Sequence, residues 1–183
     1  MSFAIPTERL VLEDLTAADL PDLRRIATDR GLMKYVLLWL ENDEQIEAFL
    51  KDAIDEAAKE RRMDYVLAVR DPATGKFAGL TFIEIDRELT STAEVGFVLL
   101  PEYCRNGYGS EILHAFLKFG FDELGMHRVY GKCDELNIAS ARLLEKGGLT
   151  YEGTLREHVW LRDHWRSTRY YGILEEEWKV RRS

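Results

Sequence analysis

Apolar residues occur in this chain in two patterns, short runs and helical spacing, which predict a mixture of strands and helices. Apolar runs bounded by turn residues predict strands over residues 9–13, 63–71, 76–86, 93–100, 127–134, 149–161 and 167–178. Apolar residues at helical spacing predict helices that follow Thr16, Asp43, Gly107 and Asn137. Strands joined by hairpins and mixed with helices indicate an α/β fold, which we expect to form a single domain over residues 1–183.

A strand-to-helix turn within residues 94–110 carries the first candidate chemistry. The apolar strand stops at Pro101, and a helix begins across Gly107 and Gly109 after a short polar loop. The first N–H groups of a helix have no partner inside the helix, and together with the helix dipole they attract phosphate groups. Arg105 adds a positive charge, so the turn predicts an anion-binding loop. The glycine pair alone fits a structural turn equally well, because neither GxGxxG nor the Walker pattern is present.

A second polar pair follows the strand predicted over residues 127–134. Asn137 precedes a short helix and Ser140 lies one turn into it, so both side chains could hold polar atoms of a ligand. Judged on spacing alone, capping of the helix is the better interpretation of both residues.

The composition excludes several classes of partner. The 183 residues are 46% apolar and 32% charged, as in ordinary globular proteins, and a net charge of −8 argues against nonspecific binding of nucleic acid. The acidic run over residues 41–60 suits either a cationic partner or a solvated helix face. We expect no membrane association, because apolar runs are short and no signal-peptide pattern opens the chain. Cys104 and Cys133 lack the spacing of a disulfide framework or zinc site, so we expect a cytoplasmic protein without a metal.

Four stretches of the chain occur in the order found in one enzyme family. They are TERLVLEDLTAADLPDL, AEVGFVLLPEYCRNGYGSEIL, NIASARLLEKGGLTYEGTLRE and YYGILEEEW. Together they resemble the GNAT superfamily of acyl-CoA-dependent N-acyltransferases, in particular its RimJ/RimL-like branch. The resemblance covers most of the chain. It implies a GNAT fold, in which a mixed, mostly antiparallel twisted sheet is splayed at the CoA-binding strand and flanked by helices.

The resemblance implies acetyl-CoA as the acyl donor. The pantetheine arm would lie along the splayed strand like an added strand, on backbone groups of Phe97, Val98 and Leu99. Asn137 would orient the amide arm of the cofactor. The pyrophosphate loop of the family falls on six consecutive residues, which are Arg105, Asn106, Gly107, Tyr108, Gly109 and Ser110.

The implied reaction is direct attack of a primary amine on the thioester in a ternary complex. The backbone N–H of Leu99 would stabilise the oxyanion, and Ser140 would donate a proton to the leaving thiolate. Glu94 would take a proton from the ammonium, directly or through a water. Each role has an alternative, since Glu94 could merely pair with a nearby arginine and Ser140 could merely belong to the first helical turn.

The acceptor is the least determined part of this expectation. A protein N-terminal amine and a small amine both fit, and aromatic side chains between the early helices and the C-terminal hairpin would suit a cationic amine. The candidates for that wall are Tyr35, Trp39, His158, Trp160, His164 and Trp165. Lys132 stands where ribosomal-protein enzymes of the wider family place a catalytic glutamate.

Other functions stay open at this point. The donor could be another acyl-CoA such as succinyl-CoA, which would need basic residues beside the acyl pocket. The chain could also be a non-catalytic CoA-binding regulatory module, although the intact set of Glu94, Asn137 and Ser140 argues against it. Proteins of this family often form homodimers, and the resemblance extends that expectation to this chain.

Overall fold

In the computed structural model, residues 3–37, 40–89 and 91–182 are described, and their strands form one eight-stranded sheet. The strands are β1 (Ala4–Pro6), β2 (Val11–Asp14), β3 (Asp64–Arg70), β4 (Phe77–Ile85), β5 (Thr92–Leu99), β6 (Arg128–Asp134), β7 (Thr150–Leu161) and β8 (His164–Leu174). They lie in the order β1-β2-β3-β4-β5-β6-β8-β7, and every neighbouring pair is antiparallel except β5 and β6. The predicted α/β fold with a mixed, mostly antiparallel sheet is confirmed.

Helices cover both faces of the sheet. They are α1 (Leu20–Thr28), α2 (Arg30–Met33), α3 (Asp43–Ala57), α4 (Tyr108–Lys118), α5 (Ile138–Gly147) and α6 (Glu175–Arg182). Neighbouring residues of β3 show the two sides, since Ala68 packs with the core under α1 and α3 whereas Leu67 packs with the core under α4 and α5. No helix in the described ranges is long and apolar enough to cross a membrane.

Three short elements, β1, α2 and α6, are missing from the sequence prediction. The strand predicted to run to residue 178 ends at Leu174, because the glutamates that begin α6 stabilise the positive end of a helix. Trp178 of α6 is buried, and its ring stacks on that of Phe121 at 5.7 Å between centroids. Helix α4 ends at Lys118, and the chain continues as a π-helical turn over Phe119–Glu123.

Strands β5 and β6 separate after only three residue pairs. The pairs are Thr92 with Arg128, Ala93 with Val129, and Glu94 with Tyr130. Beyond them, among the residues that the structure describes, β5 pairs only with β4 and β6 pairs only with β8. The facing edges of the two strands are therefore left without ladder partners. This splay, which the resemblance implies, opens the sheet from one face to the other.

The β7–β8 hairpin holds residues 34–37 beside this opening. Arg166 of β8 forms a buried ion pair with Asp134 of β6, with 2.5 Å between Nε and Oδ2, and also donates to the carbonyl of Lys34. Arg162 donates to the carbonyl of Val36. Because Asp134 belongs to β6, one ion pair links the split strand, the hairpin and the segment that leads toward α3.

Asp134→Asn should therefore destabilise the fold strongly. The substitution leaves the Arg166 guanidinium, whose side chain is 7% exposed, without a compensating charge, and such losses cost about 3–5 kcal/mol. Urea unfolding at neutral pH should show a much lower midpoint. As a control, Asp55→Asn removes an exposed ion pair with Lys51 and should leave the midpoint nearly unchanged. Equal midpoints for the two variants would contradict this role of the buried pair.

Candidate active site

One cavity of about 660 Å³ passes through the split between β5 and β6. One end is bordered by α3 through Phe49 and Asp52, and the other end reaches Asn137 and Ser140 at the start of α5. Between these ends the wall includes residues 94–98 of β5. Helices α3 and α5 pack on opposite faces of the sheet. The cavity therefore joins the two faces, and two different molecules could meet inside it.

The predicted anion-binding loop has the backbone geometry that such a site requires. Gly107 is the N-cap of α4 and has a φ of 83°, a conformation that glycine adopts without strain. The N–H groups of Tyr108 and Gly109 begin the helix and donate to no acceptor in the part of the chain that the structure describes. Two free donors at the positive end of a helix dipole can bind phosphate oxygens.

Arg9 braces this loop from a distant part of the chain. Its guanidinium contacts the carboxylate of Glu111 at 2.8 Å and donates to the carbonyl of Asn106 at 3.0 Å. The same guanidinium lies 4.4 Å from the ring centroid of Tyr108, so this ring packs within the protein while its N–H faces the loop. Arg105 is exposed at the mouth of the loop, with a φ of 64°.

Helix α4 starts directly against the splayed strand. A Cβ added at Gly109 would lie 3.2 Å from the ring of Phe97 and 3.2 Å from the side chain of Leu143 in α5. Only glycine permits this approach without displacing its neighbours. The anion-binding loop therefore lies next to the open edge of β5.

The backbone of β5 alternates between β4 and the open gap. The N–H of Leu100 donates to the carbonyl of Ala78 at 2.9 Å, which fixes the alternation along this antiparallel pair. The peptide groups of Val98 therefore face β4, whereas those of Phe97 and Leu99 face the gap. This register corrects the expectation for Val98, whose backbone is already used by the sheet. Phe97 and Leu99 keep the groups with which an added strand would pair.

Glu94 lies at the last paired position of β5, and its side chain is only 10% exposed. Lys132 Nζ is 2.8 Å from Oε2, and the Tyr130 hydroxyl donates to the same oxygen at 3.1 Å. Burial and the neighbouring Glu94 carboxylate raise the pKa of Tyr130, so the phenol stays protonated and keeps donating. The ion-pair alternative for Glu94 is thus present, with lysine in place of arginine, and Glu94 also borders the cavity.

Glu84 of β4 stands directly opposite Glu94, and Asp64 of β3 stands opposite Glu84. Three carboxylates therefore cross the sheet in one row. Asp64 is paired with Arg87 at 2.7 Å and Glu94 with Lys132, whereas Glu84 has no ion pair within the described ranges. Burial, followed by the charges of Asp64 and Glu94, raises the pKa of Glu84.

Asn137 caps helix α5, as its spacing predicts. Its side-chain oxygen accepts a hydrogen bond from the backbone N–H of Ser140 at 3.1 Å. Both residues also border the cavity. The amide nitrogen of Asn137 and the hydroxyl of Ser140 have no hydrogen-bond partner among the residues described, so both can serve a ligand at this end.

The expected aromatic wall of the acceptor side is largely absent from this cavity. Of the candidates that the structure describes, Tyr35 alone borders it, and Trp39 lies outside the described residues. Four candidates lie instead on the β7–β8 hairpin, namely His158, Trp160, His164 and Trp165. None of these four lines the cavity, since the hairpin reaches residues 34–37 through arginines and its two tryptophans lie half-exposed against each other.

Three polar side chains at the split were not assigned from the sequence. Tyr130 and Lys132 share one face of β6 because side chains alternate along a strand. That alternation is readable in the sequence, but their position beside Glu94 depends on the parallel register of β5 and β6. Glu84 likewise faces Glu94 only because of the β4–β5 register.

Comparison with known proteins fits this geometry. Residues 9–150 match the family model of the acetyltransferase (GNAT) domain. The chain is 32% identical over 175 residues to the uncharacterized N-acetyltransferase YnaD of Bacillus subtilis (strain 168), with 95% of this chain and 98% of that protein covered.

Solved structures share the fold. A GNAT-family acetyltransferase from Bacillus anthracis superposes with a TM-score of 0.80 at 27% identity, covering 95% of this chain and 99% of that one. The spermidine N-acetyltransferase from Vibrio cholerae, solved with CoA and spermine, superposes with a TM-score of 0.80 at 22% identity, with 93% and 98% covered. Because the family model matches most of the chain and the Bacillus subtilis relative aligns along nearly the whole of both proteins, the chain belongs to the GNAT acetyltransferase family and is an acyltransferase.

Proposed function

We propose that this enzyme transfers an acetyl group from acetyl-CoA to a cationic primary amine within a ternary complex. The observation that carries the proposal is the cavity that passes through the split between β5 and β6. The elements suited to CoA, namely the start of α4, the open edge of β5 and the start of α5, lie together. Carboxylates lie toward α3. A thioester on the β5 edge and an amine from the α3 side would meet at the split, which supplies the proximity that acyl transfer needs.

Three backbone and side-chain elements would hold acetyl-CoA. The N–H groups of Tyr108 and Gly109 would bind the pyrophosphate, in the loop formed by residues 105–110. The pantetheine arm would pair with the peptide groups of Phe97 and Leu99 that face the gap. Asn137, at the start of α5, would use its amide nitrogen to orient the amide arm.

The reaction needs an uncharged amine, a stabilised oxyanion and a protonated leaving group. Glu94, held at Oε2 by its two neighbours, would take the proton of the ammonium directly or through a water. The N–H of Leu99 would donate to the oxyanion as the C–N bond forms. Ser140 would donate to the CoA sulfur as the C–S bond breaks, so the products are an N-acetyl amine and CoA.

The charge of the cavity favours a cationic acceptor. Its lining holds six carboxylates but only three cationic side chains, and Tyr35, Phe49 and Phe82 add aromatic faces. The spermidine N-acetyltransferase from Vibrio cholerae, which shares the fold, was solved with spermine. We therefore place small polyamines first among the acceptors and a protein N-terminal amine second.

The other donors and functions have less support. A succinyl group would bring a second carboxylate, but Lys59, Arg87 and Lys132, the cationic side chains of the described cavity, are each paired with an acid. A non-catalytic CoA-binding module would not need Glu94 and Ser140 at the split. A cytoplasmic location and a homodimer stay predictions from the sequence and the family resemblance.

Gly107→Glu should abolish measurable binding of acetyl-CoA. The substitution forces a side chain into a left-handed backbone position and adds negative charge where the pyrophosphate would bind. Gly75→Glu is the matched control, because Gly75 also has a positive φ of 68° but lies in the β3–β4 turn. Calorimetric titration should give native affinity for the control alone. Retained binding by Gly107→Glu would remove the loop from the site.

Glu94→Gln should lower turnover by about a hundredfold, the usual effect of losing a positioned proton acceptor. Affinity for acetyl-CoA should stay close to native, because Glu94 lies on the carboxylate side of the cavity. Release of the CoA thiol, measured across pH, gives the turnover rate and its acidic limb, which is the fall in rate as the pH decreases. A native rate and pH profile in this variant would exclude Glu94 from proton transfer.

Glu84→Gln should raise the KM of a polyamine about two- to fivefold, since one partly exposed ion pair contributes up to about 1 kcal/mol. The pKa of Glu84 is raised, so in the native enzyme the carboxylate becomes protonated, and its attraction is lost, at a higher pH than for an ordinary glutamate. The native KM should therefore increase as the pH falls toward mildly acidic values.

The same measurement on Glu84→Gln should show a weaker dependence of KM on pH. Glu88→Gln removes the same charge from the β4–β5 loop, outside the cavity, and serves as the control. Identical KM values for the two variants would mean that Glu84 does not attract the acceptor.

A further inference from the structure

Two side chains of β6 hold one and the same oxygen of Glu94. Lys132 Nζ and the Tyr130 hydroxyl lie 2.8 Å and 3.1 Å from Oε2. The other oxygen, Oε1, accepts no hydrogen bond from any described residue, and it is not among the buried unpaired atoms. The carboxylate is thus fixed through Oε2. Because Glu94 borders the cavity, its other oxygen faces the cavity.

The negative charge of Glu84 lies next to that of Glu94. Glu84 stands opposite Glu94 in register, and like charges at such positions repel. Lys132 attracts both carboxylates, since it pairs with Glu94 and its charge also lowers the pKa of Glu84. The charge of Arg87 lowers the pKa of Glu84 less than that of Lys132 does, and Arg87 is already paired with Asp64. Lys132 is therefore the cation that most directly offsets the repulsion between the two glutamates.

We propose that Lys132 is a positioning residue for acyl transfer, which fixes the Glu94 carboxylate through Oε2, offsets the charge of the facing Glu84 and directs the second oxygen of Glu94 toward the acceptor amine. The inference rests on the proposed function, in which Glu94 takes the proton of the amine. Without Lys132, no paired cation among the described residues would offset the repulsion between the two facing carboxylates, and the pair would bind a proton more readily. A carboxyl that has bound this proton cannot take one from the ammonium, and Tyr130 alone would be left to fix the rotation of Glu94.

Lys132→Met tests this directly, because methionine keeps much of the apolar stem and removes the charge. The readout is the pH dependence of kcat at saturating spermidine and acetyl-CoA, because kcat/KM would also contain the loss of attraction by Glu84 at low pH. The acidic limb should move to higher pH by about 0.5–1, which lowers the rate below the limb by about three- to tenfold. Affinity for acetyl-CoA should stay native and thereby report a folded protein. The ionisation of spermidine is common to all variants, so differences between profiles belong to the enzyme.

Two variants control the measurement. Lys132→Arg keeps the positive charge beside Glu94 and should keep the native profile. Lys59→Met removes another cation of the cavity, one that pairs with Glu56 on α3 instead of with Glu94, and should shift the acidic limb far less. A Lys132→Met profile that superimposes on the native one, or an equal shift in Lys59→Met, would overturn the inference.

Glu94→Gln separates this inference from the proposed function. If that variant keeps the native acidic limb, the role of Glu94 fails and the role of Lys132 fails with it. If Glu94→Gln removes the limb while Lys132→Met leaves it in place, only the role of Lys132 is refuted.

Discussion

The short parallel pairing of β5 and β6 is the constraint on which the rest of the site depends. The two strands share three residue pairs and then part, β5 staying with β4 and β6 with β8. Unpaired strand edges inside a sheet are costly unless something else bonds to them. Here the open edge carries the peptide groups of Phe97 and Leu99, so the same gap that interrupts the sheet provides a surface for an extended ligand.

Electrostatics then divides the whole site, namely the cavity and the adjoining start of α4, into two ends. The start of α4 offers N–H donors to an anion, and Arg9 keeps that loop in place through Glu111. Toward α3 the lining is rich in carboxylates, including the facing pair of Glu84 and Glu94. Like charges held this close reduce stability, and Lys132 offsets part of that repulsion. Such an arrangement suits a site that must bind an anionic donor and a cationic acceptor at the same time.

Much of this could be predicted from the sequence, and what could not was set by long-range register. Hydrophobic spacing located most strands and helices, and local turn chemistry located Gly107 and Asn137. The side of β5 that each peptide group faces depends on pairing with β4, which is why Val98 was misassigned. Arg9 meets Glu111 across 102 residues, a contact that no local pattern contains. The hairpin aromatics lie outside the cavity for a similar reason, since the position of the hairpin depends on tertiary contacts of Arg162 and Arg166.

The most direct test of the central claim is release of CoA thiol by the native enzyme, with acetyl-CoA as donor and a panel of amines as acceptors. The panel should contain spermidine, a monoamine of similar length and a peptide with a free N-terminus, with the acetylated product identified by mass. We expect release of CoA with formation of an N-acetyl amine, fastest with the acceptor that carries more than one positive charge. Binding of acetyl-CoA without release for any amine, or release only with an uncharged partner, would contradict it.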